Sequence, residues 1–362
     1  MNKLTNRNER KIYFDLLRVF CMFMVILIHV VADGIHSYEV GSFTWSVSNA
    51  YDSLARFCVP VFVMISGAFM LDPEYECTIK KLYSVKILRM VTALLFWGLV
   101  YGIYFVANEP DRPFMTLAYQ FVYTLFTGYH HMWFVFMIIG LYIITPILRK
   151  LVEDKKVMKY FLLCSFSFSA VFIFISDLSE RLMGINIVLN FMAEILLYIK
   201  DKIHIDFLLG YAFYYVLGYY LKTYSVSHKN EKRLYVFGIL SLLFIMTGTY
   251  ALSIYKGKNV EILYEYLYFP VCFEAVAVFV FFKERISRIV FKEKSIKAIS
   301  FLSKYSFGVY LSHMLVLNLL PFGIDILNPV LSVPIVTVAV CVISLLIAFI
   351  LGKIPVLKKY VI

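Results

Sequence analysis

Ile12-Tyr-Phe-Asp15-Leu-Leu-Arg18-Val-Phe-Cys-Met-Phe-Met-Val-Ile-Leu-Ile-His29-Val-Val-Ala-Asp33 is an apolar run of helical length with ionisable groups spaced along it. Eleven residues at about 100° each make roughly three full turns, so Arg18 and His29 share one helix face about 16 Å apart along the axis. Asp15 and Asp33 fall on the same stripe. Ionisable side chains inside a membrane span are costly, and they generally face a protein interior or a water-filled cavity. If the segment lies in a membrane, it is one wall of a reaction site.

Composition places it there. The chain is 61% hydrophobic and 16% charged, against roughly 45 to 50% and 25% for soluble domains. Apolar stretches near the bilayer-crossing length of about 20 residues fall at 13–33, 51–71, 84–106, 132–148, 158–176, 206–221, 234–254, 265–282, 305–322 and 332–352. The expected fold is all-α: a polytopic integral membrane bundle of about ten helices, with residues 1–362 forming a single membrane domain. No low-complexity linker, evident repeat or long soluble block argues for a second one.

Charge in the connections tests this topology, because cytoplasmic loops carry an excess of Lys and Arg. With the N-terminus inside, 27 of the 35 Lys and Arg residues fall in inner segments and 6 outside, while Arg18 and Arg56 lie within spans. Both termini are therefore expected in the cytoplasm. The net charge of +11 is accounted for by attraction to anionic inner-leaflet lipid and calls for no nucleic acid. The first span is too long and too charged for a cleavable signal peptide. Six scattered cysteines without a C-x-x-C pair read as packing thiols, with no metal expected. Two outer connections, 113–128 and 178–205, mix apolar and polar residues, including Glu194 and Asp201. They are expected either as amphipathic helices in the outer interface or folded back over the bundle, or equally as plain interfacial loops.

Polar residues within the spans sort by depth. Arg18 lies toward the cytoplasmic side, with Lys86 and Arg89 at the inner start of the third span. His29, Asp33 and Arg56 lie toward the outer side, and Glu274 and His313 sit in the middle of the eighth and ninth spans. A cationic group thus faces in and a His/Asp/Arg group faces out.

These residues also carry a family resemblance over nearly the whole chain. Asp15-Leu-Leu-Arg18, ten residues, then His29 resembles the first helix of the membrane acyltransferase 3 family, whose members acylate sugars of envelope polysaccharides and related glycans. Further similar pieces, in order, are Arg56-Phe-Cys-Val-Pro60-Val-Phe-Val-Met-Ile-Ser66-Gly67, His131-Met-Trp133-Phe, and Gly140-Leu-Tyr142 with Pro146. Tyr211 to Gly218-Tyr219-Tyr220 and Ser306-Phe-Gly308-Val-Tyr310-Leu-Ser-His313 follow. The resemblance implies acyl transfer across a bacterial cytoplasmic membrane, from cytoplasmic acyl-CoA, expected as acetyl-CoA, to a hydroxyl of an extracytoplasmic or lipid-linked envelope glycan. It also implies that Arg18 and His29 are the functional pair. The family's Arg-x-x-Arg stands here as Lys86-Ile-Leu-Arg89, which keeps the charge but loses one planar fork for phosphate. The extracytoplasmic hydrolase-like domain of some members has no counterpart in this sequence, so the membrane domain is expected to complete the transfer alone or hand the group to another protein.

The chemistry of these residue types agrees with such roles. A hydroxyl attacking a thioester needs a base, and imidazole suits neutral pH, which makes His29 the expected base, with transfer through a covalent acyl-histidine as the alternative route. Asp33, at i+4, is placed to hold the imidazole tautomer and Arg56 to steady charge on the thioester oxygen. Arg18, Lys86 and Arg89 are the expected CoA phosphate contacts, and His131, Glu274 and His313 are further candidates. Structural alternatives stand beside each. Arg18 pairs with Asp15 at the interface, Asp33 ends its helix in water, and Arg56 snorkels outward. Lys86 and Arg89 are positive-inside charges, His29, Glu274 and His313 satisfy interior hydrogen bonds, and His131 is an interface residue beside Trp133. At the level of function, a polytopic transporter or polysaccharide exporter is the alternative, although no convincing inverted repeat is visible. A non-enzymatic membrane partner of a synthase is the third reading.

Overall fold

The computed structural model describes residues 12–202, 210–321, 323–324 and 327–362, with the Asp33 side chain outside that description. The first span is α1 (Ile12–Ser37). The second is split into α2 (Phe43–Ala55) and α3 (Cys58–Met70). The split falls at Arg56-Phe57, just ahead of Pro60, whose ring cannot follow the carbonyl four residues earlier in a continuous helix. A one-turn α4 (Ile79–Lys81) leads through a π-helical turn, Leu82–Ile87, into α5 (Leu88–Asn108). Next come α6 (Phe114–Thr127), α7 (Trp133–Glu153), and α8 (Lys155–Ser165), which runs through a second π-helical stretch into α9 (Ile173–Arg181). The chain continues as α10 (Ile187–Lys202), α11 (Ala212–Thr223), α12 (His228–Lys256) and α13 (Phe269–Glu284). It closes with α14 (Glu293–Leu319), α15 (Pro329–Leu351) and α16 (Pro355–Tyr360). Side-chain oxygens of Ser42, Thr78, Asp154, Ser227 and Asn328 cap helix starts by accepting first-turn N–H groups, as small polar residues do at that position.

The protein is an all-α, multi-pass membrane bundle, and among the described residues eight helical stretches are long and apolar enough to cross. The sequence leads one to expect about ten. The two that fall short are α11, with 12 described residues, and α14, which carries Lys304, Ser306, Ser312 and His313 along with a charged first turn. α11 and the part of α14 beyond Lys304 belong to the bundle interior. A Cβ on Gly67 of α3 would lie 1.8 Å from the Tyr215 carbonyl oxygen, and one on Gly218 of α11 would lie 2.0 Å from the Met64 carbonyl oxygen. The two helices therefore touch backbone to backbone, the approach that small residues permit between membrane helices. On α14, Ser303, Ser306, Ser312 and His313 are buried.

Loop contacts segregate by end, as alternating spans require. At the basic end Arg149 donates to the carbonyls of Met70 and Tyr75, Lys222 to Ala68, and Lys283 to Tyr224. At the other end Asn49 donates to the Met246 carbonyl, Tyr51 to Val330, and Lys200 to Asp177.

Of the two outer connections, 178–205 forms a hairpin in which α10 returns along α9, with Ile187, Val188, Phe191 and Tyr198 exposed as on an interfacial helix; its last three residues lie outside the described ones. The stretch 113–128 goes deeper. A Cβ on Gly98, midway along α5, would meet the Leu125 carbonyl oxygen of α6 at 2.4 Å, and one on Gly102 the Phe121 ring at 3.0 Å. The end of α6 thus lies beside the middle of α5, and the turn into α7 falls within the membrane. Gly128 makes that turn with φ of +71°, a backbone shape natural to glycine.

Candidate functional site

A cavity of about 330 Å³ opens between α1, α3, α5, α7 and α14. Arg18, Arg89, Ser303 and Lys304 line its basic end, while His29, His131, Trp133 and Tyr266 line the other. Phe62, Phe134, Ile138 and Phe307 supply apolar walls between them. Of the first helix, Arg18, Val25, Ile28 and His29 face this space. His29 is partly accessible there, and its ring makes no hydrogen bond among the described residues.

Four imidazoles converge on the far end. The His29 ring centroid lies 5.0 Å from His313, 5.8 Å from His130 and 6.1 Å from His131, and His131 lies 4.9 Å from His313. They arrive on three separate elements: α1, the short 3-10 turn His130–Met132 that joins α6 to α7, and α14. Nδ1 of His313 lies 2.6 Å from the Tyr310 carbonyl oxygen. That oxygen only accepts, so Nδ1 carries the proton and Nε2 presents its lone pair. Nε2 of His313 and both ring nitrogens of His131 are buried and have no hydrogen-bond partner among the described residues. Among those same residues no group of three or more His, Cys, Asp or Glu side chains is placed to hold a metal ion.

Tyrosines fix the scaffold around these rings. The Tyr310 hydroxyl donates to the His131 carbonyl at 2.6 Å. The Tyr101 hydroxyl donates to the Leu311 carbonyl at 2.9 Å and accepts from the Leu315 N–H at 3.1 Å. It is therefore inserted into one i to i+4 rung of α14, with its ring 5.6 Å from that of His131, and such insertions bend helices locally.

At the basic end Arg18 donates to the Ser303 hydroxyl at 3.2 Å and lies 3.6 Å from Asp15, while Ser303 donates to Asp15 at 2.7 Å. The Asp15 pair is therefore formed, and Arg18 still faces the cavity. Arg89 lines the cavity as well and donates to the main-chain oxygen of Ile362. Lys86 is not in the wall; its Nζ sits 5.4 Å from the Tyr75 ring centre. Its place at this mouth is taken by Lys304.

Arg56 is also set back. It is ion-paired with Asp52 and stacked 4.3 Å over the Tyr264 ring and 5.7 Å from that of Tyr266, so that Tyr266, not Arg56, reaches the cavity. Neither an outward-snorkelling residue nor a wall residue, it is a buried cation that pins the 261–268 segment. Asp33, expected to orient His29, has its side chain outside the described residues. Glu274 is buried on α13 away from the wall, with both carboxylate oxygens unpartnered among the described residues. His131 and His313 are the further candidates that the fold brings to His29. Sequence reasoning gives no role to Tyr101, Tyr266 or Ser303 and little weight to His130. The available signals were the His130-His131 pair beside a turn glycine and the Asp52/Arg56 spacing of four, which places opposite charges on one helix face.

A family model described as an acyltransferase domain matches residues 11–353, nearly the whole chain. No curated protein and no solved structure matches it.

Proposed function

Because the chain belongs to this acyltransferase family, we propose that it is a single-domain O-acyltransferase of the bacterial cytoplasmic membrane, taking acyl groups, acetyl first among them, from cytoplasmic acyl-CoA. The acceptor in this reading is a hydroxyl of an extracytoplasmic or lipid-linked envelope glycan. One observation carries it: a single cavity has guanidinium groups at its basic end and an open imidazole at the other, separated along α1 by about 16 Å.

Arg18, Arg89 and Lys304 hold the CoA phosphates, guanidinium forks being well matched to phosphate oxygens. The pantetheine arm runs along the apolar walls and brings the thioester to His29. Its ring nitrogen takes the proton of the acceptor hydroxyl as that oxygen attacks the thioester carbonyl carbon. The carbonyl π pair moves onto oxygen, where a ring N–H of His131 meets the developing charge; His131 is buried and has no competing partner among the described residues. Collapse re-forms the carbonyl and breaks the carbon–sulfur bond. The leaving thiolate takes the proton from the His29 imidazolium, so CoA departs as the free thiol.

The test is purified protein in vesicles supplied with acetyl-CoA and envelope glycan. Free thiol and esterified glycan should appear together, and His29→Ala should abolish both. Glycan movement across the vesicle wall that persists in His29→Ala without thiol release would favour the exporter instead. Mass spectrometry of envelope glycans from cells with and without the gene then identifies the acyl group and the sugar that carries it.

A further inference from the structure

A second cavity, of about 790 Å³, lies on the outer side, built from the end of α9, Lys200 of α10 and the 258–268 segment. Its floor is also the ceiling of the first. Glu265 and Leu267 line the outer cavity, whereas Tyr266 between them lines the inner one. One thickness of chain therefore divides the two spaces. That strip is fixed from below, since the Tyr214 hydroxyl donates to the Tyr266 carbonyl at 2.5 Å and the Tyr264 hydroxyl to Asn49 at 2.5 Å.

The outer cavity has the size of a ligand pocket, on the order of 300 to 1,000 Å³, and its polar groups divide into two sets. Some are committed: Asp177 accepts from Lys200 and from the Tyr268 hydroxyl, both at 2.5 Å, and Glu261 accepts from Asn259 at 2.5 Å with His36 3.5 Å away. The rest, Glu180, Arg181, Lys258 and Glu265, make no ion pair or side-chain hydrogen bond among the described residues. Opposite charges set around a cavity without pairing present acceptors and donors in several directions while their charges nearly cancel. Such an array answers the many hydroxyls of an uncharged sugar chain better than the fixed charge of a polyanion.

We infer that this outer cavity is the acceptor subsite, and that it holds an uncharged, polyhydroxylated stretch of glycan next to the reacting sugar by hydrogen bonds from sugar hydroxyls to Glu180 and Glu265, while the reacting sugar itself passes the edge of the Tyr266 strip to reach His29 in the acyl-transfer cavity. The inference rests on the acyl-transfer reading and adds to it where the acceptor sits and what charge class it has.

The test uses full-length protein in cells lacking their own copy of the gene, with alkali-releasable acetate on envelope glycan as readout. Glu180→Gln with Glu265→Gln should lower ester content at least about tenfold at equal membrane abundance, on the scale of hydrogen bonds to charged groups. The same variant, purified, should bind acetyl-CoA with a Kd within about twofold of wild type, a difference well under one tenfold step in affinity. Wild-type ester content in the double variant overturns the assignment, as does a loss of acetyl-CoA binding equal to the loss of ester at equal abundance, because the two carboxylates would then act on the donor site and not on the acceptor. Arg181→Gln with Lys258→Gln should have the smaller effect; a loss matching that of the carboxylate pair marks an anionic acceptor and overturns the charge class. Unchanged ester content in His29→Ala sinks the acyl-transfer reading itself, independently of the other arms.

Discussion

Replacing the two cavity-facing arginines separates phosphate recognition from thioester chemistry. A hydrogen bond to a charged group contributes on the order of 1.5 to 3 kcal/mol. Neither guanidinium starts free: Arg18 holds Ser303 at 3.2 Å beside Asp15, and Arg89 holds the Ile362 main-chain oxygen. A phosphate must share or displace those partners, so the net contribution belongs at the lower end. About 1.5 kcal/mol corresponds to roughly tenfold in donor affinity, which is the expected rise in KM for acetyl-CoA in Arg18→Gln or Arg89→Gln, and about a hundredfold for both if they act independently. Asp15 is not orphaned in Arg18→Gln, because Ser303 still donates to it at 2.7 Å. The assay is thiol release in vesicles with acetyl-CoA, set against the acetyl thioester of N-acetylcysteamine, which has the reacting end and no phosphate. Both variants should match wild type on the truncated donor, and Lys86→Gln should stay within about twofold on either. Equal losses on the two donors, or a fall in kcat at constant KM for acetyl-CoA, would refute the placement of CoA at this mouth.

His131→Phe should lower kcat by about a hundredfold or more with little change in either KM, the scale of a lost oxyanion donor; stopped assays at saturating substrate check it. Asp52→Asn should destabilise the protein by about 3 to 5 kcal/mol by leaving the buried Arg56 unpaired, and Asp52→Asn with Arg56→Leu should recover part of the loss, read as thermal midpoints in detergent. Gly218→Ala should destabilise by at least about 1 to 3 kcal/mol, since its new Cβ would lie 2.0 Å from a carbonyl of α3 that has no rotamer to escape into. Gly140→Ala, with nothing within 4 Å of the added atom, is the control expected to leave the melting curve unmoved.

Period and charge carried most of the architecture. The stripe from Arg18 to His29 is helical spacing read directly, whereas 51–71 reads as one apolar stretch in sequence and its break ahead of Pro60 emerges only in the structure. The count of spans differs at α14, which the sequence reading takes as the span 305–322, because its charged first half and its buried Ser303, Ser306, Ser312 and His313 leave it less apolar than the eight other stretches. The depth of α6 was legible only in Gly98-Leu-Val-Tyr-Gly102, a pair of small residues one turn apart that invites a close neighbour without naming it. The histidine cluster was the least legible. Its rings come from α1, the α6–α7 turn and α14, and no local periodicity relates positions separated by one to three hundred residues. Depth predicted that Arg56 lies near His29 but gave no information on whether it points at the cavity or behind it, and the stacking on Tyr264 decided that.

The seam where α3 meets α11 has a mechanical consequence. Carbonyl against glycine leaves no side-chain cushion, so that flank of the chamber can neither compress nor slide without breaking the contact along its whole length. For the thioester arm proposed above to thread inward a wall must give, and the side expected to yield is α14, where a tyrosine hydroxyl is wedged into one rung of its ladder. The molecule resembles a vice with one fixed jaw, and the histidine mounted on the other travels with it.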